Sequence, residues 1–471
     1  MTESAGIRFG TSGWRGVIAR DFTWDRVERV VDAIATMVVE DGGSAMVVGG
    51  DTRFLSPELA RSTAQRLARY GFRVLLADRP VPTPALSHAA RHAGMDGIIN
   101  FTASHNPPRY NGIKFSPGHG GPASGEVTAR IERLYAAGAR PETVAGSVEE
   151  TDLLPEFRRA LLSHLDVEAF GDSGLRAVYD AFTGTGFGVL DRMLQELGAA
   201  VRVINGPRDP LFAGREHPEP NEAGLSQLSL EVVRSGASIG LANDGDADRF
   251  GLVAETGDYV SPHDFLPLLL EYLVRERGMR GTVVRSISTG SLLDRVAREH
   301  DLDLEVTPVG FKHLGGRMLR GGVLLAGEES GGLSIGGHVP EKDGVLACLL
   351  AAEIVAARGQ GLAEQLEGLW SRYGRFFDTR IDLPLNAETR ELVQSRFLAD
   401  TPAEIAGREV LDDDRRDGVK LSLSGDCWVL VRLSGTEPLA RVYVEAPSPE
   451  EMESLCDWFN RLLSGSGEVR T

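Results

Sequence analysis

Three times along the chain an apolar run breaks into a loop holding Gly, Ser or Thr, passes into an amphipathic stretch, and returns to a second apolar run. The first unit runs from Met46–Val48 through Leu59–Tyr70 to Val74–Leu76. The second starts at Ala177–Tyr179, crosses the Gly-rich loop Thr183–Gly188 and returns at Val201–Val203, and the third joins Thr282–Val284 through Leu292–Arg298 to Leu304–Val306. Strand–helix–strand units of this length imply parallel pairing and α/β layers, with ligands at the carboxyl ends of the strands. After Gly374 the style changes. Val419–Leu423 and Trp428–Leu433 alternate on either side of Ser424-Gly425-Asp426, as in a hairpin, and Pro449–Leu463 predicts a closing helix.

The connections divide the chain further. Pro141–Asp152 is polar and acidic and reads as a linker, Thr256-Gly257-Asp258 ends a strand, and Ser261-Pro262 opens a strongly apolar helix. The predicted fold class is α/β: three related mixed α/β domains over 1–150, 151–256 and 257–374, then a smaller C-terminal α+β domain over 375–471.

Composition narrows the function. A chain of 471 residues exceeds one compact core, and 42% hydrophobic with 25% charged residues excludes wholesale disorder. Lys and Arg number 50 against 68 Asp and Glu, a formal charge of −18. Such a surface repels nucleic acid and anionic membranes, so neither is expected as a partner. An anionic substrate would need basic residues concentrated in one place. Cys348, Cys427 and Cys456 match no metal or redox spacing, and the opening MTESAGIRFG lacks a signal-peptide core. Leu346–Ala357, among the most apolar stretches, is too short to cross a bilayer. The expectation is a soluble cytoplasmic protein, monomer or homodimer.

Four loops hold residue types suited to chemistry. In Thr102–Pro108, Pro107 and Pro108 bar a helix and fix the loop bearing Ser104 and His105, while Asn111–Lys114 returns a lysine towards it. A Ser/Thr/Asn-rich turn explains the same residues, and a Ser-His hydrolase lacks the G-x-S-x-G elbow. In Asp244–Arg249 three carboxylates at alternate positions, Asp244, Asp246 and Asp248, can converge on one hard divalent cation. An EF-hand fails, because Arg249 stands where that loop needs Gly and a strand precedes it. A dehalogenase-like Asp-x-Asp loop, with Asp244 as nucleophile, and a solvated turn both stay open. The run Gly327–Gly332 offers Glu328 and Ser330 to sugar hydroxyls. In Arg432–Pro438, an arginine, two hydroxyls and Gly-exposed amides make either a phosphate cradle or a hairpin turn.

In this order, the four loops and the opening Phe9–Gly16 resemble the α-D-phosphohexomutase superfamily, the phosphoglucomutases and phosphomannomutases, over essentially the whole chain. The resemblance implies four domains around a central cleft and interconversion of hexose 1-phosphate and hexose 6-phosphate through a 1,6-bisphosphate. It implies a phosphoserine at Ser104, Mg²⁺ on Asp244, Asp246 and Asp248 with the serine phosphate as a further ligand, and Arg15 and Arg249 against the phosphoryl group. Lys114 resembles an acid–base group. Gly310, Glu328, Ser330, Arg432, Ser434, Gly435, Thr436 and Arg441 resemble substrate-binding positions. A hinge is expected near Tyr373-Gly374.

Gly332 stands where the dual-specific glucose/mannose branch commonly carries His, which leaves a second acid–base group unassigned; His313 and His338 lie near in sequence. Gly332 and Ser12-Gly13-Trp14 point to glucose phosphate. The alternatives are a phosphomannomutase or phosphopentomutase, a non-catalytic sugar-phosphate binder, or an Asp-nucleophile phosphotransferase.

Overall fold

The structure, a computed structural model, describes residues 6–10, 13–433 and 439–463. Its first three sheets share one strand order. In the first, Ala45–Gly50 lies between its parallel neighbours Arg73–Ala77 and Gly97–Phe101, and Tyr110–Pro117 turns back antiparallel onto Gly97–Phe101. In the second, Arg176–Asp180 lies between Ala200–Ile204 and Ile239–Asn243, with Phe250–Ala254 turning back. The third repeats this with Thr282–Ser286 between Leu304–Thr307 and Val323–Glu328, and Gly332–Ile335 returning. In each, the chain leaves the carboxyl end of a parallel strand, makes a short loop and re-enters antiparallel. Those three loops are the ones that hold Ser104, the three aspartates, and Glu329 with Ser330.

The fourth sheet has six strands, all antiparallel, and residues 434–438 connect its neighbours Cys427–Leu433 and Leu439–Ala446. The predicted hairpin of Val419–Leu423 with Cys427–Leu433 and the closing helix Pro449–Leu463 belong to this domain.

Two connections differ from expectation. The polar run 141–152 contains the strand Ser147–Thr151, which pairs in parallel with Arg73–Ala77 at the sheet edge. Its side chains are exposed from Ser147 to Glu150, so it carries no apolar alternation, and its charge suits an unshared edge. Tyr259–Val260 pairs with Phe250–Ala254, so the second sheet runs past position 256.

One large apolar core joins the first three domains, from Val47 and Leu75 through Leu241 and Leu252 to Leu325 and Leu349. At its centre lies the helix Gly344–Arg358, which is apolar on nearly every face because it is buried on nearly every face. Asp343 starts this helix by accepting the amide of Leu346 at 2.9 Å. The helix Pro262–Arg275 starts in the same way, with Ser261 Oγ accepting the amide of Asp264 at 3.2 Å. The fourth domain has a separate core and meets the third through a small cluster of Ile287, Trp428, Leu430 and Tyr443. Among the described residues no single helix is long and apolar enough to cross a membrane.

Candidate active site

The shared core sets the loops of the first three domains against one another. Ser104 is buried and holds a left-handed backbone, φ 48°, and its Oγ donates to Asp244 Oδ2 at 2.8 Å. Thr102 Oγ1 accepts the Ser104 amide at 2.9 Å. A hydroxyl on a loop of the first domain therefore touches a carboxylate on a loop of the second.

Asp244, Asp246 and Asp248 each place a carboxylate oxygen within 4.8 Å of the other two, and all three are buried. Burial first, and then repulsion from Asp246 and Asp248, push the Asp244 carboxyl well above the usual range. Asp248 is buried too, but Lys342 Nζ at 2.7 Å and Lys114 Nζ at 3.7 Å outweigh burial and hold it below its ordinary value. Asp246 Oδ2 accepts from Thr83 Oγ1 at 2.6 Å. The remaining oxygens, Asp246 Oδ1 and Asp248 Oδ1, are buried without a protein partner. Three converging hard carboxylates with orphaned oxygens fit a divalent cation.

Cationic groups surround this cluster. Arg249 donates from its amide to Asp244 Oδ1 at 3.0 Å and from Nη1 to Glu219 Oε1 at 2.6 Å. Arg15 donates to the side chain of Asn106 on the Ser104 loop, and burial presses its pKa down only to about 10, so it stays charged at neutral pH. Lys114 stands on Tyr110–Pro117 opposite Asn100, with Nζ 3.0 Å from Glu341 Oε2. Arg15, Lys114, Arg249 and Lys342 thus lie around the aspartates of an acidic chain.

Glu328 is buried at the end of its strand and accepts from Ser330 Oγ at 3.0 Å. Burial, with repulsion from Glu329, lifts its pKa from 4.5 to about 7. Because the folded pKa lies above the unfolded one, the cost of ionising Glu328 is absent below pH 4.5, grows as pH rises, and is complete above about pH 7. In metal-free protein, Glu328→Gln is therefore expected to flatten the fall in thermal stability between pH 4.5 and 7, by about 1 kcal/mol or more. Melting curves of both proteins across that range check it; parallel pH profiles refute it.

Glu341 and Lys342 are the functional candidates that reading the sequence missed. They precede Asp343, and the cap of the central helix holds them against Lys114 and Asp248. The legible signal was a Glu-Lys-Asp run directly before an apolar helix. Lys342 is buried; burial opposes its charge, but Asp248 and Glu341 lift its pKa above the usual lysine value. Arg53 and Asp51, both fully buried beneath the Ser104 loop, were missed as well. Of the two candidate histidines, His338 is buried and paired with Asp343 at 2.8 Å, and His313 lies on the helix Phe311–Met318.

Arg432 and Arg441 face each other across neighbouring strands, and Arg432 pairs with Asp417 at 3.0 Å. Asp417 also accepts the amide of Val309 at 3.0 Å, next to Gly310, which links this strand pair to the third domain. Ser434, Gly435 and Thr436 lie outside the described residues, as do Thr11 and Ser12.

A buried hydroxyl hydrogen-bonded into a cluster of three carboxylates and ringed by arginines and lysines is an arrangement suited to phosphoryl transfer. Family models of the phosphoglucomutase/phosphomannomutase α/β/α domains I, II and III match residues 6–142, 155–257 and 261–373, and the C-terminal domain model matches 392–462. The chain belongs to the phosphoglucomutase/phosphomannomutase family, a family of phosphosugar mutases, and is accordingly an intramolecular phosphotransferase. A phosphoglucomutase/phosphomannomutase of Thermococcus kodakarensis is 31% identical, with 97% of this chain and 98% of that one aligned. A phosphoglucosamine mutase of Caldicellulosiruptor bescii is 30% identical over 95% of this chain and 96% of that one. A crystal structure from Thermus thermophilus, provisionally named a phosphomannomutase, superposes with a TM-score of 0.87 at 37% identity, covering 98% of this chain and 100% of that one.

Proposed function

We propose that the chain interconverts hexose 1-phosphate and hexose 6-phosphate, most readily of glucose, through a phosphoserine at Ser104 and a hexose 1,6-bisphosphate. The observation that carries this reading is the 2.8 Å hydrogen bond from Ser104 Oγ to Asp244, which puts a nucleophilic oxygen on the candidate cation site. Asp244, Asp246 and Asp248 would hold Mg²⁺, with an oxygen of the serine phosphate as a further ligand. When bound, that ion neutralises charge on the transferring phosphoryl group.

The chain's own residues do the rest. Arg15 and Arg249 offset charge on the phosphoryl oxygens while phospho-Ser104 donates to the free sugar hydroxyl. Lys114 takes part in moving the proton of that hydroxyl. Lys342 is the second acid–base group that Gly332 left unassigned. A Cβ at position 332 would lie 3.0 Å from Lys342 Cδ and 2.7 Å from Glu328 Oε1, so the glycine clears the room that Lys342 occupies. Glu328 and Ser330 hold the sugar hydroxyls.

The bisphosphate then turns end for end and returns its other phosphate to Ser104. Arg432, Ser434, Gly435, Thr436 and Arg441 form the site for the non-transferring phosphate, with Gly310 at its third-domain edge. Rotation near Tyr373-Gly374 closes the fourth domain over the cleft and excludes water that would hydrolyse the phosphoserine. The fourth domain's apolar core is separate from the one the first three domains share, which supports that motion.

Mass spectrometry of protein treated with glucose 1,6-bisphosphate is expected to place one phosphate on Ser104. A phosphate on Asp244 would instead favour an Asp-nucleophile phosphotransferase, and hexose-phosphate binding without Mg²⁺-dependent turnover would favour a non-catalytic binder. Relatives of nearly equal identity carry phosphoglucosamine mutase as well as phosphoglucomutase/phosphomannomutase names, so the sugar is decided by kcat/KM. Glucose 1-phosphate is expected to exceed mannose, glucosamine and pentose 1-phosphates. Arg432→Ala is expected to raise KM for the preferred sugar phosphate by about 10–100-fold, through loss of a charge-assisted contact of about 1.5–3 kcal/mol. An unaltered KM counts against the cradle.

A further inference from the structure

Arg53 is completely buried, although nothing in the proposed reaction requires a guanidinium there. Its surroundings account for it. Nη1 donates to the carbonyls of Pro107 at 2.9 Å and Tyr110 at 3.1 Å, and Nη2 donates to those of Ser104 and Asn106, the latter at 2.6 Å. Three backbone carbonyls of the Ser104 loop and the first of its returning strand therefore converge on one planar fork. Asp51 offsets the charge at 3.2 Å, and a further contact ties the same loop, because Oδ2 accepts from Thr102 Oγ1, which in turn accepts the Ser104 amide.

The loop needs this support. Ser104 holds a left-handed backbone at φ 48°, a conformation that costs a non-glycine residue roughly 1 kcal/mol or more unless its surroundings impose it. A second domain presses from the far side. The Arg53 guanidinium lies 4.7 Å from the centre of the Phe212 ring. A Cβ at Gly245, between two of the metal-loop aspartates, would meet that ring at 3.0 Å and the Ser104 carbonyl at 3.3 Å. Phe212 thus touches both the arginine beneath the nucleophile loop and the glycine of the metal loop.

We propose that Arg53 is the positioning residue for the nucleophile: it fixes the Ser104 hydroxyl against the metal loop by clamping four carbonyls of that loop and its returning strand, and Phe212 seats it. This rests on Ser104 being the phosphoryl carrier. Lysine cannot replace it, because an ammonium offers three donors from a point, not a fork that spans four carbonyls.

The test compares Arg53→Lys, Arg53→Ala with and without added guanidinium, and Phe212→Leu, all in the full-length enzyme. Arg53→Lys is expected to lower kcat by about 10²-fold, the cost of a small misplacement of the reacting group. KM, and binding of glucose 1-phosphate to the dephosphorylated protein, are expected to stay within about threefold, because loss of positioning falls on the transfer step. Guanidinium is expected to restore Arg53→Ala by about tenfold. Phe212→Leu is expected to slow phosphorylation of Ser104 by glucose 1,6-bisphosphate by about tenfold, and it decides the matter if the Arg53 variants fail to fold. A kcat for Arg53→Lys within about threefold of the parent, the absence of guanidinium rescue in folded Arg53→Ala, or an unchanged phosphorylation rate in Phe212→Leu overturns the proposal. An active Ser104→Ala variant would remove the underlying reading instead, so the two failures are distinguishable.

Discussion

Replacing Ser104 by alanine is expected to lower kcat by about 10⁴-fold or more, the scale on which loss of a covalent nucleophile falls. The fold is expected to survive. Ser104 Oγ makes one described hydrogen bond, to Asp244, while the Ser104 amide and carbonyl keep their bonds to Thr102 and Arg53 in the variant. Turnover of a hexose 1-phosphate and a thermal melt of the same preparation check both halves. Retained turnover would exclude the phosphoserine route, and a collapsed melt would make Ser104 a structural residue.

Asp244→Asn is expected to have an effect of comparable size on activity and the opposite sign on stability. Turnover falls by about 10³-fold or more, because the cation site loses one of its three charges next to the nucleophile. In metal-free protein the same change is expected to stabilise the fold by about 0.5–2 kcal/mol, as functional sites hold charge at the expense of stability. The cause is local. Three buried carboxylates lie within 4.8 Å of one another, and burial and mutual repulsion raise the Asp244 carboxyl. Asparagine relieves that repulsion and still accepts the Arg249 amide that now bonds Asp244 Oδ1. Thermal melts in chelator, with and without added Mg²⁺, check it. A variant that melts lower than the parent in chelator, or one that turns over normally, contradicts the assignment.

Much of this site was legible because its chemistry is concentrated in short segments. The spacing of Asp244, Asp246 and Asp248 and the two prolines after Ser104 single out their loops as candidates, and the order of all the loops, through the family resemblance, supplies their roles. The three parallel-strand units were legible from periodicity, because a buried strand must be apolar and its crossover helix must be amphipathic. The strand Ser147–Thr151 was not, because an exposed edge strand pairs through its backbone and leaves its side chains unconstrained. Lys342, whose one local signal was the Glu-Lys-Asp run, and Arg53 went unread for a related reason. Each owes its importance to partners far away in the chain: Asp248 for Lys342, and the Phe212 ring for Arg53.

By itself, then, the amino-acid sequence determined the four chemical loops, the strand–helix–strand periods and the family they resemble, since these reside in local order and spacing. The tertiary structure decided that each of the first three loops joins a parallel strand to its returning antiparallel neighbour, and that a common core turns those loops onto one point. Only that packing puts Ser104 on Asp244, Lys342 on Asp248 and Arg53 beneath the Ser104 loop, because long-range contacts arise when separate apolar faces are buried together. The net charge of −18 belongs to the whole chain, whereas the cations that would meet a phosphate are gathered by the fold.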